Sequence, residues 1–176
     1  MAKKETKRNT SDTLNALLAK LREDPTKSSI RMASELRLNR QTFWRKKKEL
    51  EDGGQIWGYT TIFDDSGMGW VYCIVLMKMK VIKEDIAKGA IAAAKTLEHE
   101  KKGVILWDAM FLNGEYDVLV SYSAPNIATA RRFYELLRGM GEEVLLEKPL
   151  MLEMSFAFRK SGKLNPHLER FMELVP

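Results

Sequence analysis

Cysteine and histidine are scarce in this sequence of 176 residues, which has one cysteine, Cys73, and two histidines, His99 and His167. A single cysteine excludes a disulfide within the chain, and so few cysteines and histidines argue against a zinc cluster. Cys73 lies inside an apolar run, residues 70–77, where a lone cysteine is typical of a small buried hydrophobic side chain. We therefore expect neither a metal site nor a cofactor.

Long apolar runs and an apolar leader are also absent. No stretch approaches the roughly 20 consecutive apolar residues that a membrane-spanning helix needs. The lysine-rich first residues lack the apolar segment of a signal peptide. The sequence therefore predicts a cytoplasmic protein that does not contact a membrane.

Motifs of common enzyme families are missing as well. The chain has no G-x-S-x-G, H-E-x-x-H or P-loop pattern, and two G-x-G triplets, at residues 67–69 and 139–141, do not continue to a dinucleotide fingerprint. Asp64 and Asp65 are adjacent, but neighbouring aspartates in a glycine-rich stretch are typical of a solvated turn. The sequence predicts that the protein is not an enzyme and has no catalytic residues.

Positive charge is concentrated in the first third of the chain. The whole sequence has 29 Lys+Arg and 24 Asp+Glu, a net charge of +5. Residues 1–60 contain 14 of these basic residues and 8 of the acidic ones, so they carry +6 and the other 116 residues carry −1. This asymmetry indicates either a part that meets a polyanion or simply a basic solvated surface.

The first 56 residues have the pattern of a polar arm followed by short helices. Residues 1–10 are polar and lysine-rich, which predicts a flexible basic arm. A leucine stripe predicts a first helix over residues 11–23, which Ser11 or Asp12 could cap. An apolar side of Ile30, Met32, Ala33 and Leu36 predicts a second helix.

A third helix is predicted over residues 40–52, with Asn39 as its cap and the Gly53-Gly54 pair at its end. Two short helices joined by a tight turn, the second of them very basic, predict a helix-turn-helix domain over residues 11–56. Lysine and arginine neutralise phosphates, whereas glutamine and threonine near the start of such a helix can read base edges. The predicted DNA-binding residues are Arg40, Gln41, Thr42, Trp44, Arg45, Lys46 and Lys48. Double-stranded DNA is the predicted partner, and a merely solvated basic helix is the alternative.

The remainder of the chain changes to strands alternating with helices. Residues 57–69 are predicted to form a linker strand and hinge, within a β-rich run that starts at Gln55. Strands are expected at residues 70–80, 104–112, 115–123 and 150–158, and helices at residues 83–100 and 125–138. The βαββαβ order predicts a ferredoxin-like domain over residues 70–159, and residues 160–176 form a tail with a short helix. The predicted fold class is α+β, with a winged-helix-like domain of three helices in front.

Three stretches resemble the Lrp/AsnC regulators, the family of the leucine-responsive regulatory protein. Residues 32–46 are similar to the helix-turn-helix of that family, residues 50–59 to its link out of the recognition helix, and residues 114–117 to its Gly-x-Tyr-Asp hairpin. The resemblance covers roughly residues 12–158, and the βαββαβ order matches the family's sensing domain, called RAM. It implies a regulator of transcription whose ligand is an amino acid or a related metabolite.

The resemblance also places a ligand pocket near the hairpin. The implied effector-binding residues are Asn113, Gly114, Tyr116 and Asp117. A glycine lets backbone N–H groups approach a carboxylate, and an aspartate can bind an ammonium group. The same residues also suit a purely structural turn in which Asn-Gly bends the chain and Asp117 caps the backbone or pairs with a lysine.

The chain departs from the family pattern at several positions of the helix-turn-helix. Arg37 stands where the turn usually has glycine, and Lys47 stands where the family has an aliphatic residue. Siroheme decarboxylases also resemble this family and carry histidines in their pocket, so an enzyme on the same scaffold is the alternative function. A basic third helix and the positions of His99 and His167 favour the regulator.

The first predicted strand of the second domain is apolar on both sides. Trp70, Tyr72, Ile74 and Leu76 alternate with Val71, Cys73, Val75 and Met77. Because a ferredoxin-like sheet has helices on one face, the other apolar face needs a separate cover. The sequence therefore predicts a homodimer, which could assemble further to a tetramer or octamer.

Overall fold

The computed structural model of the chain describes residues 10–81, 83–97 and 99–176. The chain forms two compact units that divide between Thr61 and Ile62. The predicted basic arm lies outside the described residues apart from Thr10, which begins the first helix. Within the described ranges, no helix is long and apolar enough to cross a bilayer.

The first unit consists of three helices, α1 (Thr10–Glu23), α2 (Ser29–Glu35) and α3 (Arg40–Asp52). One side of each helix contributes to a common apolar core. Its buried members are Leu17, Leu21, Met32, Ala33, Leu36, Phe43 and Leu50. These are the residues that recur at helical spacing in the sequence, and their burial orients α2 and α3 into a helix-turn-helix.

Side chains outside the helices set where α2 and α3 begin. Ser28 accepts a hydrogen bond from the backbone N–H of Arg31 at 3.3 Å, and Asn39 accepts one from that of Thr42 at 2.7 Å. The predicted cap at Asn39 is confirmed. The predicted caps at Ser11 and Asp12 are wrong, because α1 already begins at Thr10 and both residues lie in its first turn.

The predicted connecting strand is wrong. Beyond α3 the backbone N–H groups of Gln55 and Ile56 both bond to the carbonyl of Leu50, so the chain folds back on the helix end instead of extending. Residues 56–64 then have no regular secondary structure, and a 3-10 turn follows at Ser66–Met68. A β-rich composition makes a strand only where another strand pairs with it, and no strand of the described chain pairs with this segment.

The second unit contains the predicted βαββαβ order. Its elements are β1 (Val71–Met77), α4 (Glu84–Thr96), β2 (Ile105–Phe111), β3 (Val118–Ala124), α5 (Ile127–Gly141) and β4 (Leu150–Glu153). The strands form an antiparallel sheet in the order β2-β3-β1-β4, which is the ferredoxin-like topology. The fold class is α+β, as predicted.

The two faces of this sheet differ in burial. On one face, Cys73, Val75 and Met77 of β1 are buried together with Phe133 and Tyr134 of α5. On the opposite face, directly paired residues align in an apolar row across all four strands, Met110, Leu119, Leu76 and Leu150. Met110 and Leu150 remain 49% and 42% exposed, so this row of the open face is not covered in the single chain, whereas Ser121 and Ser123 on the same face are buried.

Several predicted boundaries in this unit are corrected. The helix predicted to reach residue 100 ends at Thr96, and Pro125 precedes the helix that it was expected to start, since Asn126 is the cap of α5. The strand predicted over residues 150–158 ends at Glu153, because the chain then leaves the sheet and Phe156 and Phe158 pack against Phe171 of the tail.

The tail folds onto the same unit. It forms a hairpin of two short strands, β5 (Arg159–Lys160) and β6 (Lys163–Leu164), followed by a 3-10 helix at Leu168–Leu174. The predicted short helix of the tail is therefore present as a 3-10 helix.

Candidate nucleic-acid interface

The third helix of the first unit presents the predicted DNA-binding residues on its outer side. Phe43 is fully buried and Leu50 is nearly so, which holds one side of α3 against the core. Arg40, Gln41, Trp44, Arg45 and Lys48 are exposed, and Thr42 and Lys46 are half-buried. All seven predicted residues thus lie on one helix, and none of them belongs to the core.

Two sets of cations in this unit differ in whether they form ion pairs. Lys20 and Lys27 both form ion pairs with Glu35, and Lys20 also pairs with Glu23 at 2.9 Å. The hydrogen bonds from Lys27 and Lys20 lower the pKa of Glu35 below its ordinary value. Arg40, Arg45, Lys46 and Lys48 form no ion pair with any described residue. Unpaired cations on α3 leave this surface free to bind phosphates.

Lys47 lies on the same helix, but its ammonium group already has partners within the unit. Its Nζ is 3.6 Å from the Glu51 carboxylate and lies 5.3 Å from the ring centroid of Trp44 and 5.2 Å from that of Tyr59. Tyr59 also donates its hydroxyl to Glu51 at 3.1 Å, and partial burial, with this carboxylate, raises the pKa of Tyr59 to about 12. Lys47 thus contacts the rings of both Trp44 and Tyr59, and no pattern in the sequence indicated the role of Tyr59, because it lies outside every helix.

The predicted effector residues lie in the connection between β2 and β3. The connection spans residues 112–117 instead of the predicted tight Asn-Gly turn, and Gly114 does not adopt a positive φ. The Asp117 carboxylate accepts the backbone N–H of Met79 at 2.7 Å, and its own N–H donates to the carbonyl of Met77 at 2.9 Å. These bonds hold the loop against the end of β1. The ladder between β2 and β3 therefore ends before the Asn-Gly pair is reached.

Around this loop, Tyr116 contacts a lysine. The Nζ of Lys78 lies 5.1 Å from the Tyr116 ring centroid and pairs with Glu115 at 3.3 Å and with Glu147 at 3.2 Å. Asn113 and Gly114 are exposed. The structure therefore brings Tyr116 and Asp117 next to the end of β1, while Asn113 and Gly114 stay at the surface.

A cavity of about 460 Å³ lies elsewhere in the second unit, between residues 62–66 and the tail. At its wall, Lys160 Nζ lies 2.6 Å from the buried carboxylate of Asp65. The same nitrogen is 4.7 Å, 4.9 Å and 5.0 Å from the ring centroids of Trp107, Tyr72 and Phe63. No sequence signal indicated this cluster, because its members are far apart along the chain.

The two histidines lie in different parts of the second unit. The His99 ring is partly buried, and its Nδ1 lies 3.2 Å from the carbonyl oxygen of Val104. His167 is in the exposed tail, with Nδ1 3.5 Å from the Glu169 carboxylate. No group of three or more His, Cys, Asp or Glu side chains within the described ranges is arranged to hold a metal ion.

Comparison by sequence finds no match among protein-family models or among curated proteins. Comparison of structures does find matches. The leucine response regulatory protein of Mycobacterium tuberculosis is 16% identical with a TM-score of 0.66, and the alignment covers 88% of this chain and 99% of that one. This chain has the fold of the Lrp/AsnC regulators.

Two further solved structures are similar to this chain. An AsnC family transcriptional regulator from Agrobacterium tumefaciens is 17% identical with a TM-score of 0.61, covering 87% of this chain and 95% of its own. A transcriptional regulator of Neisseria meningitidis, solved in complex with L-Met, is 14% identical with a TM-score of 0.64, covering 90% of this chain and 98% of its own. The shared architecture therefore extends over both units.

Proposed function

We propose that this chain is a DNA-binding transcription regulator of the Lrp/AsnC type. The observation that carries the proposal is the set of unpaired cations on the exposed side of α3, at a helix that follows a tight turn. Arg40, Gln41, Thr42 and Trp44 approach base edges, and Arg45, Lys46 and Lys48 bind phosphates. The structural likeness to regulators supports the same function.

The test is binding to DNA fragments selected from the source genome. The double variant Arg45→Ala/Lys46→Ala should lose most of its affinity, and Lys48→Ala should weaken binding to all fragments alike and lower the salt dependence by about one unit of slope. The matched control is Lys88→Ala/Lys95→Ala, which removes two charges from α4 in the other unit. Unchanged affinity of the α3 double variant would exclude this surface.

The open face of the sheet supports a homodimer. Leu152 lies in the row next to Leu150 and is 44% exposed, so a second copy of the sheet would bury both. A twofold pair would also place two recognition helices against two half-sites on DNA. Leu152→Asp should shift the sedimentation coefficient to that of a monomer, whereas Ile91→Asp, on the exposed side of α4, should not. A wild-type monomer at micromolar concentration would refute the dimer.

We further propose that an amino acid or a related metabolite binds at Asn113, Gly114, Tyr116 and Asp117. The complex of the Neisseria regulator with L-Met supports this class of ligand. A thermal-shift screen against amino acids tests it, with Asp117→Asn as the variant, because an amide oxygen can still accept the Met79 N–H while the charge is lost. Glu115→Gln is the matched control. If no amino acid raises the melting temperature, or if Asp117→Asn leaves the shift intact, the assignment is wrong.

A further inference from the structure

Arg37, in the turn between α2 and α3, has a backbone conformation that disfavours its own side chain. Its φ is +56°, and among the described residues the only other non-glycine residue with a positive φ is Ser161, at +48°. A β-carbon in the left-handed region clashes with the following carbonyl, and glycine avoids this clash.

Backbone hydrogen bonds hold this turn in its strained conformation. The backbone N–H of Leu38 bonds to the carbonyl of Ala33 at 2.8 Å, and that of Arg37 bonds to Ser34 at 3.0 Å. This is the pair of bonds with which a left-handed residue closes a helix, and glycine is the usual residue at that position. Leu36 is buried in the core and Leu38 packs against it, so both flanking residues are fixed. The turn is therefore rigid, and arginine is an unfavourable residue for it.

The Arg37 side chain makes no compensating contact within the described chain. It is exposed, and it forms neither an ion pair nor a side-chain hydrogen bond with any described residue. The nearest acidic residue along the chain, Glu35, is already occupied by Lys20 and Lys27. Folding thus fixes the backbone point from which this cationic side chain extends, three residues before Arg40, and gives the side chain no partner among the described residues.

We propose that Arg37 binds a DNA phosphate, so that the interface continues from α3 across the turn in front of it. This inference rests on the proposed DNA-binding function. A guanidinium binds phosphate with two parallel hydrogen bonds, and on a rigid turn the backbone has little conformational freedom left to lose on binding. Strained backbone conformations cluster at functional sites, and here the strain is retained because the charge is needed for binding.

The experiment compares Arg37→Gly and Arg37→Lys in the full-length protein. Arg37→Gly should raise the urea midpoint of unfolding, because the clash is relieved, and should lower DNA affinity by about fivefold or more with a salt dependence reduced by about one unit of slope. Arg37→Lys should retain the strain and most of the salt slope. Stability and binding therefore move in opposite directions only in the glycine variant.

Ser161→Gly is the matched control, since it relieves the same kind of strain in the hairpin of the tail. It should raise the unfolding midpoint and leave DNA affinity unchanged. If the wild type binds DNA and Arg37→Gly binds with the same affinity and salt slope, the inference is overturned and the proposed function stands. If the wild type binds no DNA while the α3 helix is folded, both are overturned.

Discussion

Replacing Lys160 by methionine should destabilise the second unit strongly. Lys160 Nζ is 2.6 Å from Asp65, whose side chain is 1% exposed, and the lysine side chain itself is 19% exposed. Asp65 also accepts the hydroxyl of Ser123 at 2.5 Å, and Ser123 accepts the Trp107 indole N–H at 2.6 Å. Methionine keeps the apolar stem of the side chain and removes only the ammonium group.

The size of the effect follows from the burial of Asp65. Removing one partner of a buried ion pair leaves the other charge without compensation and costs about 3–5 kcal/mol. For a chain of this length, a loss of about 3 kcal/mol lowers the melting temperature by roughly 6–12 °C. The tail also loses one of its attachments to residues 62–66, and the pair of Arg170 with Asp64, at 3.2 Å, remains.

Urea unfolding followed by tryptophan fluorescence measures this change, since Trp107 lies in the cluster. Limited proteolysis of the tail gives a second readout. The double variant Lys160→Met/Asp65→Asn should be more stable than Lys160→Met alone, because no unpaired charge is left. Lys88→Met, which breaks an exposed pair with Glu84, is the control and should change stability by about 0.5 kcal/mol or less.

The reasoning is refuted by either of two results. One is a Lys160→Met variant as stable as the Lys88→Met control. The other is a double variant no more stable than the single one. The first result would mean that the buried pair contributes no more than an exposed one, and the second that the loss of stability does not come from an unpaired charge on Asp65.

Three further predictions concern other parts of the chain. Cys73 is fully buried, and burial raises the pKa of its thiol to about 11, so a thiol reagent at pH 8 should label it only in unfolding concentrations of urea; rapid labelling of the native protein would contradict this. Asn39→Ala should lower the stability of the first unit by about 1 kcal/mol and Asn39→Asp should not, as the urea midpoint of helical circular dichroism will measure; equal stability of both variants would exclude a capping role. Hydrogen bonds from Lys27 and Lys20 lower the pKa of Glu35 below its ordinary value of 4.5. They therefore stabilise the fold at any pH above 4.5, and this contribution is lost as the pH falls through the lowered pKa. The difference in unfolding midpoint between wild type and Glu35→Gln should therefore shrink from pH 6 to pH 3, and a constant difference would argue against the ion pairs.

Much of the secondary structure and the basic character of α3 could be predicted from the sequence alone. The spacing of apolar residues predicts the three helices of the first unit and the βαββαβ order of the second, since periods of 3.6 and 2 follow from backbone geometry. Asn39 as a helix cap needs only the residues that follow it. The basic character of α3 is equally visible, because charge is a property of composition and not of packing.

Contacts between residues far apart in the sequence decided which cations are paired and where the β2–β3 hairpin ends. Which cations of the first unit are free depended on Glu35 and Glu51 meeting Lys20, Lys27 and Lys47 in the folded unit. The end of the β2–β3 hairpin was set by Asp117 bonding to Met79, 38 positions away, and not by the Asn-Gly pair.

The clearest case is Lys160, which looks like an ordinary surface lysine in the sequence. It meets Asp65 95 positions away and three aromatic rings from separate segments. Removing both charges from water costs free energy, and only the fold brings the two groups close enough together to offset that cost. Sequence patterns therefore determined most of the helices and strands, whereas tertiary structure alone decided which polar side chains are buried, paired or free to bind a partner.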